Sequence, residues 1–177
     1  MTRITRDSKI KIKFANKETF LDLNLCAKEF IDLLDNFKYN FLNKKYFVLT
    51  AYYDGVLAGL LVASDKSKKV DSLERMVPTM SLHLLFVNPI YRNKGIGIKL
   101  MNTFLMILKN RDFASIYIKL PKHYKKGINF FLNNRFLNRH FSQVEKTDNH
   151  IILEMNLWTD FGIKNCNLTE LDERIKI

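Results

Sequence analysis

A short run of basic and glycine residues near the middle of the chain has the composition of a phosphate-binding loop. The run consists of Arg92, Asn93, Lys94, Gly95, Ile96 and Gly97. Because the glycines have no side chain, an anion can approach the backbone amides there closely. The two cations add positive charge at the same place. The residue types therefore predict a site for a phosphate or pyrophosphate group.

The elements on either side of this run are suited to direct backbone amides at an anion. Residues 82–87 are almost entirely apolar and are followed by the turn residues Asn88 and Pro89, which predicts a buried strand. Residues 97–108 place apolar side chains at helical spacing, which predicts a helix that begins within the run. The first amides of a helix have no internal partner and lie at the positive end of its dipole. We therefore expect the anion at this helix N terminus.

The complete string resembles a known cofactor loop. It reads Val87-x-Pro89-x-x-Arg92-x-x-Gly95-Ile96-Gly97. This resembles the acetyl-CoA pyrophosphate loop of the GNAT N-acetyltransferases, which reads Q/R-x-x-G-x-G/A after a strand that ends in V-x-P. A dinucleotide-binding loop would read G-x-G-x-x-G, and a Walker loop would end in Gly-Lys-Ser/Thr. The resemblance covers residues 46–157 and implies that acetyl-CoA is the acetyl donor and that residues 92–97 bind its pyrophosphate.

The resemblance also implies how the rest of the donor is held. In GNAT proteins the fourth and fifth strands splay apart, and here these strands would be residues 82–87 and 113–120. Exposed backbone groups at Leu85, Phe86 and Val87 would then pair with the pantetheine arm. One of these amides would face the thioester oxygen, where it would stabilise developing negative charge.

His83 is the candidate general base. It lies nine residues before Arg92, on a strand where some members of the family carry a catalytic glutamate. An imidazole titrates at about pH 6.5 and can take a proton from an amine directly or through water. The alternative is a histidine that is hydrogen-bonded within the core. Strict alternation along the strand would place Ser81, His83, Leu85 and Val87 on one face of the sheet. Leu82, Leu84 and Phe86 would lie on the other face.

The helix after the fifth strand matches the family only in part. The family pattern is N-x-x-A-x-x-F-Y-x-x-x-G-F, and Phe130 and Phe136 match it. The tyrosine that often protonates the leaving thiolate is replaced by Phe131, which has no hydroxyl. Tyr124 lies on the same predicted helix face, about 10 Å away along the axis, and is the candidate catalytic acid. The identity of this acid stays open.

The remaining patterns predict a mixed α/β fold. Alternation and hairpin signals, including the turn Asp54-Gly55, predict strands at residues 9–15, 46–53, 56–64, 139–144 and 150–157. Helical spacing predicts one or two helices at residues 17–43 and another at 124–134. Residues 65–80 are expected to form a loop, as an acceptor-side lid or as plain disorder. With the resemblance, this order implies a GNAT fold: a single, mostly antiparallel sheet of about 6–7 strands, splayed at strands 4 and 5 and flanked by about four helices.

Composition limits the class of protein. With 177 residues, 47% of them hydrophobic, the chain can bury one core. We expect an acetyltransferase domain at residues 1–158 and a C-terminal extension at 159–177, with a short helix at 168–174. Apolar runs are too short to span a membrane, and the N terminus lacks a signal-peptide core. The two cysteines and four histidines show no metal-ligand spacing. These features favour a reduced, cytoplasmic protein without a metal.

The formal charge of +11 has several possible sources. It can indicate RNA, an acidic protein surface, or only a lysine-rich sequence style. CoA is itself a polyanion and would account for part of it. The sequence contains no RNA-binding pattern, so nucleic acid is the less favoured partner.

The expected activity is transfer of an acetyl group from acetyl-CoA to a primary amine of a protein or a small molecule. The alternative is a catalytically weak module of the same fold that binds CoA or a partner. The acceptor stays open, and so does the choice between a monomer and a homodimer.

Overall fold

One mixed sheet of seven strands forms the frame of the molecule in a computed structural model, which describes residues 9–19, 37–69, 76–137 and 139–158. Its strands are β1 (Ile10–Phe14), β2 (Phe47–Tyr53), β3 (Val56–Asp65), β4 (Thr79–Val87), β5 (Ser115–Pro121), β6 (Ser142–Lys146) and β7 (His150–Asn156). They lie in the order β1-β2-β3-β4-β5-β7-β6. All neighbours are antiparallel except β4 and β5, which are parallel. The predicted mixed, mostly antiparallel sheet is confirmed.

Three α-helices are found in the described part of the chain. They are α1 (Phe37–Leu42), α2 (Ile96–Asn110) and α3 (Lys125–Asn133). The helices predicted at residues 97–108 and 124–134 are confirmed. Of the helical region predicted at 17–43, residues 17–19 form a turn and only Phe37–Leu42 is seen as a helix. Residues 20–36 lie outside the described residues, as does the helix predicted at 168–174. No helix in the described ranges has the length and apolarity to span a membrane. The domain division at residue 158 stays a prediction.

The sheet is covered on both faces, and the alternation within β3 shows how. Leu61 and Ala63 lie in a large core with α2 and α3, whereas Leu60 and Val62 lie in a smaller core with α1. Because both faces are covered, β3 is buried throughout residues 57–64. Its amphipathic neighbour α2 buries six apolar side chains on one face, and each stabilises the fold by about 1.5–3 kcal/mol.

The predicted hairpin between β2 and β3 is confirmed. Tyr53 pairs with Val56 across the turn. Asp54 and Gly55 both have left-handed backbone angles, with φ of 48° and 84°. This is the type I′ geometry that the Asp-Gly pair favours, because it matches the twist of the strands.

The region predicted as a loop at residues 65–80 is partly regular, so that prediction was wrong at both ends. β3 continues to Asp65, and β4 begins at Thr79, three residues before its predicted start. Between them, Lys68–Lys69 pairs with Met76–Val77 in a short antiparallel ribbon; residues 70–75 lie outside the described residues. Thr79 and Ser81 are buried although they are polar, because they lie inside the sheet, where the Thr79 hydroxyl contacts that of Ser115 at 3.2 Å.

β4 carries a β-bulge at His83. Leu82 pairs with Ala63 and Leu84 with the adjacent Val62, so His83 is the extra residue on β4. The predicted strict alternation was therefore wrong, because a bulge changes which residues share a face. The residues of β4 in the core with α2 are Met80, Leu82, Leu85 and Val87. Those in the core with α1 are Leu84 and Phe86.

The parallel pair β4 and β5 is joined only along its first half. Pairing runs from Thr79 opposite Ser115 to Leu82 opposite Ile118. Beyond Leu82, β4 pairs only with β3, while β5 pairs only with β7. The two strands therefore diverge toward their carboxyl ends, which is the predicted splay of strands 4 and 5.

Gly59 lets β3, β4 and the start of α2 approach one another. A Cβ atom at Gly59 would lie 2.7 Å from the backbone oxygen of Phe86 and 3.3 Å from Cγ2 of Ile96. We expect Gly59→Ala to lower the free energy of unfolding by about 1–3 kcal/mol, because the backbone of β4 cannot move aside cheaply. Urea denaturation followed by circular dichroism measures this change.

Gly97→Ala is the matched control for this substitution. A Cβ there would lie 3.6 Å from Cγ2 of Val87, an ordinary van der Waals distance. We expect the control to leave the free energy of unfolding unchanged or to raise it by up to about 1 kcal/mol, because its Cβ has room and alanine is favoured over glycine in a helix. Equal losses in the two variants would show that close packing at Gly59 is not the cause.

Candidate active site

The predicted anion-binding loop lies at the carboxyl end of β4. After Val87 the chain makes a 3₁₀ turn at Pro89–Tyr91, which begins with Asn88, whose side chain accepts a hydrogen bond from the amide of Ile90. The chain then enters α2 at Ile96. The loop therefore begins at the end of the sheet where β4 and β5 have separated.

Two loop residues need the left-handed backbone region. Asn93 has a φ of 61° and Gly95 a φ of 79°. Glycine adopts this region freely, and asparagine is among the few other residues that tolerate it. A Cβ at Gly95 would meet no atom within 4 Å, so the loop is open to solvent on that side.

The N terminus of α2 is open to an anion. Gly95 is its N-cap residue and makes no side-chain capping hydrogen bond, and the first turn contains no acidic residue. The first amides of this fifteen-residue helix therefore lack a capping side chain and lie at the positive end of its dipole. A Cβ at Gly97 would touch only the side chains of Val87 and Phe130, at 3.6 and 3.7 Å. These features fit a pyrophosphate at this helix end.

The two cations of the loop are held in different ways. The Nε of Arg92 donates a hydrogen bond to the backbone oxygen of Val87 at 3.0 Å, which fixes the guanidinium at the end of β4. The Nζ of Lys94 lies 4.5 Å from the ring centre of Tyr53 and 5.3 Å from that of Tyr91. Lys94 therefore rests on two aromatic rings and ties the loop to the β2–β3 hairpin. The role of Tyr53 was not predicted, because a cation–π contact between residues as far apart in sequence as Tyr53 and Lys94 leaves no local pattern.

Leu85, Phe86 and Val87 lie in the half of β4 that pairs with β3 but not with β5. Alternate backbone groups of an antiparallel strand point to its partner and away from it. Beyond Leu82 this edge of β4 pairs with no strand of the described residues. The edge continues directly into the anion-binding loop.

The side chain of His83 lies on the sheet face that α1 covers, beside Tyr46. Its Nε2 lies 2.6 Å from the hydroxyl oxygen of Ser64. Its ring packs 5.6 Å from the ring of Tyr46 at an angle of 59°. Ser64 is buried, whereas His83 is exposed. The imidazole is therefore held on one side and open to solvent on the other, and is not the core histidine that the sequence left as an alternative.

Two effects lower the pKa of His83 from its ordinary value of 6.5. The larger one is partial burial, and the smaller one is the positive charge of Lys66. Both disfavour the imidazolium form. At neutral pH the ring is therefore neutral and able to accept a proton.

Tyr124 lies at the N terminus of α3, just after β5 ends at Pro121. Because β4 and β5 are parallel, their carboxyl ends lie at the same end of the sheet. Tyr124 therefore lies at the same end of the sheet as the anion-binding loop. Its ring folds over Gly127, where a Cβ atom would clash with the ring, and it is half exposed. Phe131, in contrast, is buried in the core with α2 and packs 5.3 Å from Phe141. The position where the family often carries a tyrosine thus faces the core in this chain.

Comparison with known proteins gives one family and one fold. The model of the acetyltransferase (GNAT) family matches residues 16–134. No curated protein matches the chain in sequence. The ribosomal-protein-S18-alanine N-acetyltransferase of Escherichia coli is similar in structure, with a TM-score of 0.60 at 15% identity, covering 84% of this chain and 94% of that one.

Two further structures that are similar were solved with cofactor groups bound. The PaiA N-acetyltransferase of Thermoplasma acidophilum, solved with coenzyme A, has a TM-score of 0.60 at 18% identity and covers 83% of this chain and 98% of its own. Naa50 of Arabidopsis thaliana, solved with the bisubstrate analogue CoA-Ac-MVNAL, has a TM-score of 0.62 at 16% identity with the same coverage, 83% and 98%. At these identities the structures show the fold alone. Since the family model spans about two thirds of the chain, the chain belongs to the GNAT family of acetyltransferases.

Proposed function

We propose that this protein is an N-acetyltransferase that transfers an acetyl group from acetyl-CoA to a primary amine of a protein or a small molecule. The observation that carries the proposal is the uncapped N terminus of α2, which one loop joins to the part of β4 that does not pair with β5. An extended ligand with an anionic end would fit this arrangement, because the edge offers backbone groups and the loop offers amides and cations.

The donor would be held almost entirely by backbone groups of this chain. Acetyl-CoA supplies the acetyl group in activated form, as a thioester. Leu85, Phe86 and Val87 would pair with its pantetheine arm, and the amides of residues 95–97 would bind its pyrophosphate. Arg92 and Lys94 would contribute charge from fixed positions. An outward amide of β4 would stabilise negative charge on the thioester oxygen.

His83 would remove the proton from the acceptor amine. Its lowered pKa keeps the imidazole neutral at neutral pH, and its exposed side can contact an acceptor directly or through water. Tyr124 is the candidate for protonating the leaving thiolate, because it lies at the edge where the donor would enter. A thiolate is a tolerable leaving group, so a distant acid would slow the reaction without preventing it.

The acceptor class is suggested by two of the similar proteins. One is named for the alanine of a ribosomal protein, and another was solved with a CoA-peptide bisubstrate analogue. Peptide N termini therefore belong among the first acceptors to test, beside lysine side chains, polyamines and small amines.

A second candidate function is a weak module that binds CoA or a partner without efficient turnover. Phe131 favours it, because this buried ring offers no hydroxyl where many family members carry the tyrosine acid. Both functions predict binding of CoA. They differ in turnover.

Release of CoA thiol on mixing the protein with acetyl-CoA and a panel of amines distinguishes the two functions. We expect thiol release that depends on both the protein and the amine, with the acetylated amine found by mass spectrometry. Binding of acetyl-CoA without amine-dependent thiol release across the panel would favour the module.

Gly97→Glu tests the assignment of the loop. Acetyl-CoA should raise the melting temperature of the wild-type protein, because a ligand that binds only the folded state stabilises it by mass action. A carboxylate beside the pyrophosphate would repel it, so the variant should show no such rise. Gly97→Ala is the control and should keep most of the rise, since its Cβ has room. A full rise with Gly97→Glu would mean that pyrophosphate binds elsewhere.

His83→Ala tests the general base. We expect turnover to fall by about two to four orders of magnitude, with an unchanged rise in melting temperature on addition of acetyl-CoA. In the wild type the rate should increase with pH as His83 loses its proton, with a midpoint below 6.5 because its pKa is lowered. This increase of the rate with pH should be absent in His83→Ala.

Two further variants complete this test. Lys66→Gln should move the midpoint of the pH-dependent increase in rate to higher pH, because it removes a positive charge that disfavours the imidazolium. His140→Ala changes an exposed histidine near the start of β6 and should leave the pH profile as in the wild type. An unchanged profile with His83→Ala would exclude His83 as the base.

A further inference from the structure

We propose that Ser64 is a positioning residue that fixes the proton of His83 on Nε2 and leaves Nδ1 as the basic atom. The inference rests on the proposed function, in which His83 is the general base. It starts from the distance of 2.6 Å between Oγ of Ser64 and Nε2 of His83. Ser64 belongs to the central strand β3 and is only 7% exposed, so the rigid interior of the sheet sets the place of its hydroxyl.

The two side chains meet beside the bulge in β4. Ser64 pairs with Ser81, and in an unbroken ladder His83 would pair with Val62. Val62 instead pairs with Leu84, and His83 is left without an opposite residue. Its side chain contacts the hydroxyl of Ser64, which belongs to the pair before that of Leu82 and Ala63.

The proton on the imidazole must have one of two positions. A neutral imidazole has one N–H and one nitrogen lone pair. If the hydroxyl of Ser64 donated to Nε2, it would occupy that lone pair, and Nδ1 would carry the proton. Neither nitrogen could then take a proton from an amine without breaking the hydrogen bond.

The opposite arrangement leaves a working base. If Nε2–H donates to Ser64, the lone pair of Nδ1 is free. When Nδ1 takes a proton, both nitrogens become donors, and the hydrogen bond to Ser64 persists. Only this arrangement keeps the same contact in both protonation states that a general base must pass through.

The ring plane is held by a second contact. Tyr46 packs against the imidazole, and its own ring stacks on Phe37 at 5.8 Å. Within the described residues, Nδ1 of His83 has no hydrogen-bond partner, and the side chain is exposed. In the proposal, this nitrogen takes the proton from the acceptor directly or through a water molecule between them.

The tautomer can be read directly by nuclear magnetic resonance. In protein labelled with ¹⁵N at histidine, long-range ¹H–¹⁵N correlations at a pH where His83 is neutral should show the proton on Nε2 in the wild type. Ser64→Ala should give a mixture of both tautomers at His83. Ser64→Thr keeps the hydroxyl and should keep the wild-type tautomer. The signals of His123, His140 and His150 should not change in either variant.

Kinetics provides the second measurement. Ser64→Ala should lower kcat by about tenfold to a hundredfold, as expected when the partner that orients a reactive histidine is lost. The KM for acetyl-CoA should stay within about twofold of the wild-type value, because the donor site consists of other residues. Ser64→Thr should recover most of kcat, which a loss of packing alone would not predict.

The outcomes separate this proposal from the proposed function. A proton on Nδ1 in the wild type, or an unchanged tautomer in Ser64→Ala, would overturn the positioning role even in an active enzyme. A proton on Nε2 that becomes mixed in Ser64→Ala would support the positioning of His83 even if no amine were acetylated. In that case the proposed function alone would be overturned.

Discussion

At His83 the backbone of β4 is one residue longer than that of β3, and the ladder between the two strands must absorb the difference. A bulge bends its strand and increases the local twist. Pairing with β5 stops at Leu82, directly before the bulge, so the carboxyl half of β4 turns away from β5. The edge that β5 leaves and the loop beyond it both come after the bulge along the chain. In the proposed function, the bulge thus adjoins both the donor edge and the general base.

Cations among the described residues have two kinds of partner, carboxylates and aromatic rings. In the described ranges Lys9 and Asp54, which are both exposed, form an ion pair at 4.0 Å. Other cations lie over aromatic rings instead, namely Lys13, Lys45, Lys94, Arg111 and Arg135. A carboxylate would cancel the charge that it holds, whereas a ring holds a cation and leaves its charge in place. The positive potential of the surface therefore persists, which suits association with a polyanion such as CoA.

The features predicted from sequence are those with a local pattern. Asp54-Gly55 specifies its turn without help from the rest of the chain, and residues 92–97 contain their own glycines and charges. The start of β4 was missed because Thr79 and Ser81 are polar, and their burial depends on β5, which lies far along the chain. Likewise no local pattern indicates that His83 meets Ser64. That contact depends on the register of two strands and on a bulge within it, and register is a property of the assembled sheet.

The proposed donor edge and the proposed acceptor face differ in the kind of atoms that form them. Along Leu85 to Val87 and at the start of α2, the groups directed outward are backbone amides and carbonyls, which every residue except proline provides in full. Most point mutations therefore leave them in place, and a sequence can drift far while this edge persists. The acceptor face consists of side chains, with His83, Ser64 and Tyr46 in contact, and one base change in the gene can alter it. Such a protein can acquire a new acceptor over evolution while it keeps its donor.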